Sequence, residues 1–302
     1  MVSNPYRYSM NLPIFRLFML LSLFSRRSED VLSSICNKDF VERRPTECFY
    51  LPRHNQYTIM RMCLIMQNDR GPTVLPISYN HLVQAAIYNS ISPELSAFLH
   101  NKGFLYGKRS FKFFTFSRLF GQYNMVRNKV YFNDDIGIYV SSPIERFIRE
   151  IANILLKKGH LVLGEQRLKI ANVSFPQEPE ISVNMKIRTL SPITVYSTLL
   201  SPAGNKKTYY YSPYEPDFSE LIDLNAKKKF YIMNKKNIKS KMKIIPLRVR
   251  ESIALYKGTI VKGWNGLFEL TGPKKLIKIV YETGLGSKNS QGFGMFEVTE
   301  ND

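Results

Sequence analysis

The stretch from Ser142 to Gly159 leaves the chain little choice of structure. Ile144, Phe147, Ile148, Ile151 and Leu155 recur at the three-and-four spacing of one helical face. Ser142-Pro143-Ile144-Glu145 reads as a capping box with proline at the first helical position, and Gly159 supplies the stop. Around this helix the other elements fall into order. Tyr57–Gln67 reads as a first strand, and Tyr79–Ile91 as a helix with Val83, Ile87 and Ile91 on one side. A second helix is expected after Ser92, with Pro93 and Glu94 in its first turn, Lys102 in its last and Gly103 at its end. Phe111–Ser117 is a strand by aromatic content, and Gln122–Val140 resembles a hairpin broken at Asn133-Asp134-Asp135. His160–Phe175 closes the unit as a strand. Strand, helix, strand, strand, helix, strand is a split βαβ arrangement of the ferredoxin-like kind.

After a linker at Pro176-Gln177-Glu178-Pro179 the order recurs more loosely. Strands are expected at Ser182–Thr189, Thr194–Thr198, Lys243–Tyr256, Gly258–Leu270 and Gly292–Val298. Helices are expected at Asp217–Tyr231 and Pro273–Thr283, the latter with Leu276, Ile277 and Val280 on one side. No sequence repeat joins the halves, so the second ferredoxin-like domain rests on element order. The expected class is α+β: tandem ferredoxin-like (RRM-like) domains over 58–175 and 180–302, with a C-terminal glycine-rich loop. Residues 1–57 show no sustained period and read as an extension, with translation expected to begin at Met60 or Met62.

The 302 residues carry 43 Lys plus Arg against 24 Asp plus Glu, a net charge of +19. Such an excess fits a polyanion, either nucleic acid or an acidic membrane surface. From Ala226 to Arg250 there are eight Lys, two Arg and no acid. That block is either a solvated face or a track for phosphates. Cys36, Cys48 and Cys63 share no metal or disulfide spacing and fit a reducing cytoplasm. Leu17–Phe24 is too short to span a bilayer and runs into Arg26-Arg27. No metal, cofactor or membrane partner is expected.

Four glycines punctuate Gly284-Leu-Gly-Ser-Lys-Asn-Ser-Gln-Gly-Phe-Gly294. A dinucleotide fingerprint would need a third glycine at Asn289 and a strand ahead of the loop; a P-loop would need Gly-Lys-Ser/Thr at its end. Two readings stay open: a helix cap running into a tight turn, or an anion-holding nest of main-chain N–H groups with donors from Lys288, Asn289 and Ser290. Of four histidines, His54 lies in the extension and His160 at a helix-to-strand junction. His81 shares a helical face with Gln84 and Tyr88, and either touches RNA or buttresses its helix. His100 sits in a last helical turn, where the dipole favours its protonated ring. Tyr88 faces away from the Val83/Ile87/Ile91 stripe. Lys112 alternates with Phe114 and Phe116 on one strand face, reaching either solvent or a phosphate.

At the glycine-rich run the chain resembles the CRISPR repeat-processing endoribonucleases, the Cas-six type of the repeat-associated superfamily. Their C-terminal signature of glycine pairs around a polar core, closing in Gly-Phe-Gly-Met and a strand, is matched by Gly284–Val298. Leu75-Pro-Ile-Ser-Tyr-Asn-His81 through Ile87-Tyr88-Asn89, Phe98-Leu99-His100, Phe111–Ser117 and Thr189-Leu190-Ser191-Pro192-Ile193 follow the family in the same order. The resemblance covers roughly residues 58–302. It implies metal-independent cutting of precursor CRISPR RNA by 2′-hydroxyl attack, giving a 2′,3′-cyclic phosphate and a 5′-hydroxyl, with Tyr88, His100 and Lys112 catalytic. RNA contacts are then expected from His81, Gln84, Lys108, Arg109, Arg188, Gly284, Gly286, Lys288, Asn289, Ser290, Gly292 and Gly294. The expected partner is the CRISPR RNA repeat; effector-complex proteins and a second copy of the chain are further candidates. The rival reading is a non-catalytic RNA-binding subunit of an effector complex, which shares fold and loop but not the use of Tyr88, His100 and Lys112.

Overall fold

In the computed structural model, which describes residues 60–200 and 204–299, the chain runs β1 (Arg61–Gln67), β2 (Thr73–Pro76), α1 (Asn80–Tyr88) and α2 (Pro93–Ala97), which continues as a π-helical turn over Phe98–Lys102. Two short hairpins and a bridge segment follow: β3 (Phe104–Tyr106) and β4 (Arg109–Phe111), β5 (Thr115–Phe116), then β6 (Tyr123–Val126) and β7 (Lys129–Phe132). The first half ends in β8 (Ile136–Ser141), α3 (Glu145–Lys158), β9 (His160–Leu163) and β10 (Gln166–Ser174). The second half contains β11 (Asn184–Thr189), β12 (Tyr196–Leu200), β13 (Lys206–Tyr210), α4 (Pro216–Asn234), β14 (Lys243–Tyr256), β15 (Thr259–Thr271), α5 (Lys274–Thr283) and β16 (Phe296–Val298). The extension, with Leu17–Phe24, Cys36, Cys48 and His54, and the Tyr57 end of the first strand lie outside the described residues. Among the described residues no helix is long and apolar enough to cross a membrane.

The first sheet has the order β5-β8-β1-β10-β9 and the second β14-β15-β11-β16, every pairing antiparallel. With β9 set aside as an added edge, both sheets show the spatial order second-third-first-fourth that defines the ferredoxin-like fold. The chain is therefore α+β with two such lobes. In the first lobe Met62, Leu64 and Met66 alternate down one face of β1 and are buried with Phe147, Ile148, Ile151 and Leu155 of α3. In the second, Ile187, Phe268 and Leu270 pack with Phe218, Ile222 and Ala226 of α4 and Leu276, Ile277 and Val280 of α5.

Four expectations are corrected. Phe111–Ser117 is not one strand. Strand alternation would bury only every second aromatic, whereas Phe113, Phe114 and Phe116 are all buried. The backbone achieves this by turning left-handed at Phe113 (φ 52°), and Lys112 falls ahead of the break, off any strand face shared with Phe114. The capping box at Ser142 does not form, since α3 begins at Glu145. Ser142 Oγ accepts from Ile144 N (3.0 Å) and donates to the Phe113 carbonyl (2.7 Å), tying down that break. The turn within Gln122–Val140 is Arg127-Asn128, not Asn133-Asp134-Asp135, which links β7 to β8. β2, β3 and β13 were not expected, the strand expected at Thr194–Thr198 is β12, and the single strand expected at His160–Phe175 is the hairpin β9–β10.

Candidate active site

Asn80, Gln84 and Tyr88 fall four residues apart on α1 and so lie along one side of it, next to Val83 and Ile87, which are buried in the lobe. That face meets the second lobe. Asn80 Nδ2 donates to the Gln291 carbonyl (2.7 Å), and Gln84 Nε2 to the Ser290 carbonyl (2.6 Å). Tyr256, the last residue of β14, donates its hydroxyl to Gln84 Oε1. Tyr88, one turn further along, is therefore held at the boundary between the lobes.

α2 turns toward Tyr88 from the other side. Its start is capped by Ser92, whose Oγ accepts from Leu95 N, and its π-turn ends at Gly103 (φ 63°). A side chain at Gly103 would meet the Phe111 carbonyl oxygen at 2.6 Å, so glycine allows the hairpin β3–β4 to close against the turn. His100, exposed on that turn, presents its ring edge-on to Tyr88 with centroids 5.6 Å apart, and Tyr88 meets the buried Phe114 in the same manner at 5.6 Å. Lys112 Nζ donates to the His100 main-chain carbonyl (3.0 Å). The structure thus brings Tyr88, His100 and Lys112 together from a helix, a π-turn and a loop.

Their chemistry differs. Burial, with the neighbouring phenol of Tyr256, pushes Tyr88 up to about 12, so it remains a hydrogen-bond donor at neutral pH. Burial pulls the Lys112 ammonium below its ordinary value. His100 is exposed, and its Nδ1 lies 2.9 Å from Asn101 Oδ1, which can only accept, so Nδ1 donates there and Nε2 is left out of that bond.

The glycine-rich run turns back on itself. The amides of Gly284, Leu285, Ser287, Gln291, Gly292 and Gly294 all donate to protein carbonyls, and Asn289 Nδ2 reaches Leu285 O (2.9 Å) and Phe293 O (3.0 Å). A Cβ at Gly286 would meet Thr194 O at 2.5 Å, and one at Gly294 would meet Leu285 O at 2.0 Å. Lys229 fastens this knot. It is 2 % exposed and donates to Gly284 O and Asn289 Oδ1, both at 2.7 Å, while burial brings its pKa down to about 7. The sequence carried a signal for it: Lys229 continues the buried Phe218, Ile222, Ala226 stripe of α4, although it stands in a basic block.

Among the remaining expected RNA contacts, Lys108 and Arg109 are exposed at the tip of β3–β4, and Lys288 is half-buried with Nζ 5.1 Å over the Tyr196 ring. Arg188 pairs with Glu297 at 3.7 Å, and His81 Nδ1 donates to Ser78 O at 2.7 Å. Sequence reasoning missed the residues that lock the lobes. Arg61 is buried, with its guanidinium 3.8 Å over the Tyr281 ring and bonded to the carbonyls of Phe296 and Tyr281, each at 3.0 Å. Thr115 Oγ1 donates to Phe293 O at 3.1 Å. Arg118 N donates to Leu190 O at 2.9 Å and its guanidinium, which also bonds to Asn80 Oδ1, stands 5.8 Å from the Phe293 ring. Their targets are main-chain oxygens or distant side chains, which no local pattern announces.

Residues 74–174 match the family described as CRISPR-associated protein Cas6, N-terminal, and residues 176–298 match CRISPR associated protein Cas6, C-terminal. A CRISPR-associated endoribonuclease Cas6 1 from Methanocaldococcus jannaschii is 32% identical over 247 residues, covering 78% of this chain and 91% of that protein. A CRISPR-associated endoribonuclease Cas6 from Pyrococcus furiosus is 27% identical over 261 residues, covering 80% and 91%. A solved structure described as CRISPR associated protein Cas6 superimposes with a TM-score of 0.67 at 29% identity, over 80% of this chain and 99% of that one. With two ferredoxin-like lobes, a knotted glycine-rich loop between them and a match to both halves of one family, the chain belongs to the Cas6 family.

Proposed function

We propose that this chain is an endoribonuclease that cuts precursor CRISPR RNA within its repeats, without metal, at Tyr88, His100 and Lys112. One observation carries the assignment. An exposed histidine, a half-buried phenol and a lysine below its ordinary pKa converge at the lobe boundary of a protein with a large positive charge. In the reaction the ribose 2′-oxygen forms a bond to the adjacent phosphorus, the bond from phosphorus to the 5′-oxygen breaks, and one proton passes from the first oxygen to the second. The products are a 2′,3′-cyclic phosphate and a 5′-hydroxyl.

The roles follow from the environments. His100, acting through Nε2, handles the proton, since imidazole alone among these groups is poised near neutrality. Tyr88 stays protonated and donates a hydrogen bond that orients the 2′-hydroxyl. Lys112 balances the charge that gathers on the phosphorane oxygens. Lys108, Arg109 and the exposed lysines around α4 supply the electrostatic track for the RNA backbone. Within the glycine-rich run, RNA handling falls to Lys288 and Ser290, because the Asn289 side chain and the amides of Gly284, Gly292 and Gly294 serve the knot.

Incubating the full chain with a labelled repeat transcript in excess EDTA tests this reading. The expected result is one cut per repeat, leaving a 2′,3′-cyclic phosphate. Loss of cutting in EDTA, or products with 3′-hydroxyl and 5′-phosphate ends, would overturn it.

A further inference from the structure

The β3–β4 hairpin grows directly out of the candidate site. It starts four residues after His100, ends one residue before Lys112, and is pinned at its base by the Phe104–Phe111 pair. Three residues of strand carry it outward by about 10 Å. At its tip Tyr106 is paired with Arg109 across the two-residue turn Gly107-Lys108. There it meets α4 of the second lobe. The Tyr106 ring stands edge-on to Tyr231, with centroids 5.6 Å apart and the planes at 89°. Both rings are 38 % exposed.

Two features make this more than a packing contact. Edge-on geometry leaves much of each ring face open, and an open aromatic face beside a cleft suits a nucleobase, whose own π-face stacks regardless of sequence. The charges around the pair also ask for an anion. Lys228 precedes Tyr231 by one helical turn on α4 and Arg109 pairs with Tyr106, so each ring has a cation beside it; burial, and then the Arg109 guanidinium, hold the Lys228 ammonium below its ordinary value. Lys108 stands beside them, exposed. Two like charges from different lobes, brought together beside two exposed rings, fit a phosphate between them and the base attached to it on the rings.

We propose that Tyr106 and Tyr231 form a stacking subsite for one nucleotide of the RNA, within a few nucleotides of the cut, with its phosphate held by Lys228 and Arg109. The subsite spans both lobes, so an RNA strand seated there also clasps β3–β4, and with it His100 and Lys112, against α4. This rests on the reading of the protein as an RNA-binding endoribonuclease, and it adds a place where substrate position is set away from the reacting atoms.

The test is an abasic scan. A set of repeat RNAs, each lacking one base, is bound to the full wild-type chain and to the Tyr231→Ala, Tyr231→Phe, Tyr106→Ala and Lys228→Ala variants, with affinity and single-turnover cleavage measured for each. On intact RNA, Tyr231→Ala and Tyr106→Ala should weaken binding roughly 5- to 150-fold. Tyr231→Phe should bind as wild type does, and Lys228→Ala should lower the salt slope by about one. At a single RNA position, removing the base should weaken wild type but leave Tyr231→Ala unchanged, an outcome that a purely structural tyrosine cannot produce. Wild-type affinity in both alanine variants, or equal losses in wild type and variant at every abasic position, would overturn the subsite while leaving cleavage by the wild type intact. A wild type that binds but fails to cut would instead defeat the endoribonuclease reading.

Discussion

The Lys112 ammonium lies 3.0 Å from the main-chain carbonyl oxygen of His100, so the cation and the imidazole are tied through one residue's backbone. Lys112 uses one of its three N–H donors in this bond, and in the proposed reaction the others meet the phosphorane oxygens. Lys112→Ala should therefore lower the single-turnover rate about 10²- to 10³-fold, the usual loss when one donor to a developing oxyanion is removed. Lys112→Arg should recover part of it. Because Lys112 is only half-buried, its melting temperature should hardly move.

Tyr88 separates chemistry from packing. Tyr88→Phe keeps the ring edges toward His100 and Phe114 and loses only the hydroxyl. Cleavage should fall about 10- to 100-fold at neutral pH with stability unchanged. Tyr88→Ala should lose both, with a further cost of about 1–3 kcal/mol measured by denaturant unfolding.

Much of the fold was legible in the sequence, and what was missed has identifiable causes. The α3 stripe, the two-lobe element order and the Gly103 and Gly159 stops follow from periodicity and backbone freedom, which are local. The Phe111–Ser117 break was hidden because four phenylalanines in six residues satisfy a strand pattern, while Phe113, Phe114 and Phe116 are buried together through a left-handed residue at Phe113. In the site, His100 and Tyr88 could be singled out by residue type and family likeness. Arg61 and Tyr256 could not, since each acts on a partner chosen by tertiary structure. The basic block from Ala226 to Arg250 looked uniform, yet the fold buries Lys229 within it and leaves its neighbours for the surface.

Lys229 should govern stability more than turnover. Lys229→Met keeps the volume but strands the Gly284 and Asn289 oxygens, costing about 2–3 kcal/mol at neutral pH. The pH dependence has a definite sign. The folded pKa, about 7, lies below the unfolded value, so between pH 7 and 10.5 the unfolded chain binds the extra proton. Lys229 therefore contributes more stability as pH rises through that window, and its contribution levels off below pH 7. The difference in unfolding free energy between wild type and Lys229→Met should widen accordingly; a difference that stays flat would contradict this.

Gly294→Ala should be among the most damaging single changes in the chain. The position holds φ 80°, and an added Cβ would sit 2.0 Å from the Leu285 carbonyl oxygen, a main-chain atom with no freedom to retreat. Destabilisation of about 2–4 kcal/mol is expected from the left-handed backbone and the clash together. Thermal melting checks this, and repeat-RNA affinity should fall in parallel because the knot joins the two lobes.

The most direct measurement is single-turnover cleavage of a repeat RNA by wild type and by His100→Ala in EDTA, with RNA affinity determined for both. His100 is exposed and its side chain supports no core contact, so the variant should fold and bind RNA as wild type does. The account predicts cleavage lost by at least about 10²-fold with affinity retained. Cleavage by His100→Ala at the wild-type rate would contradict it.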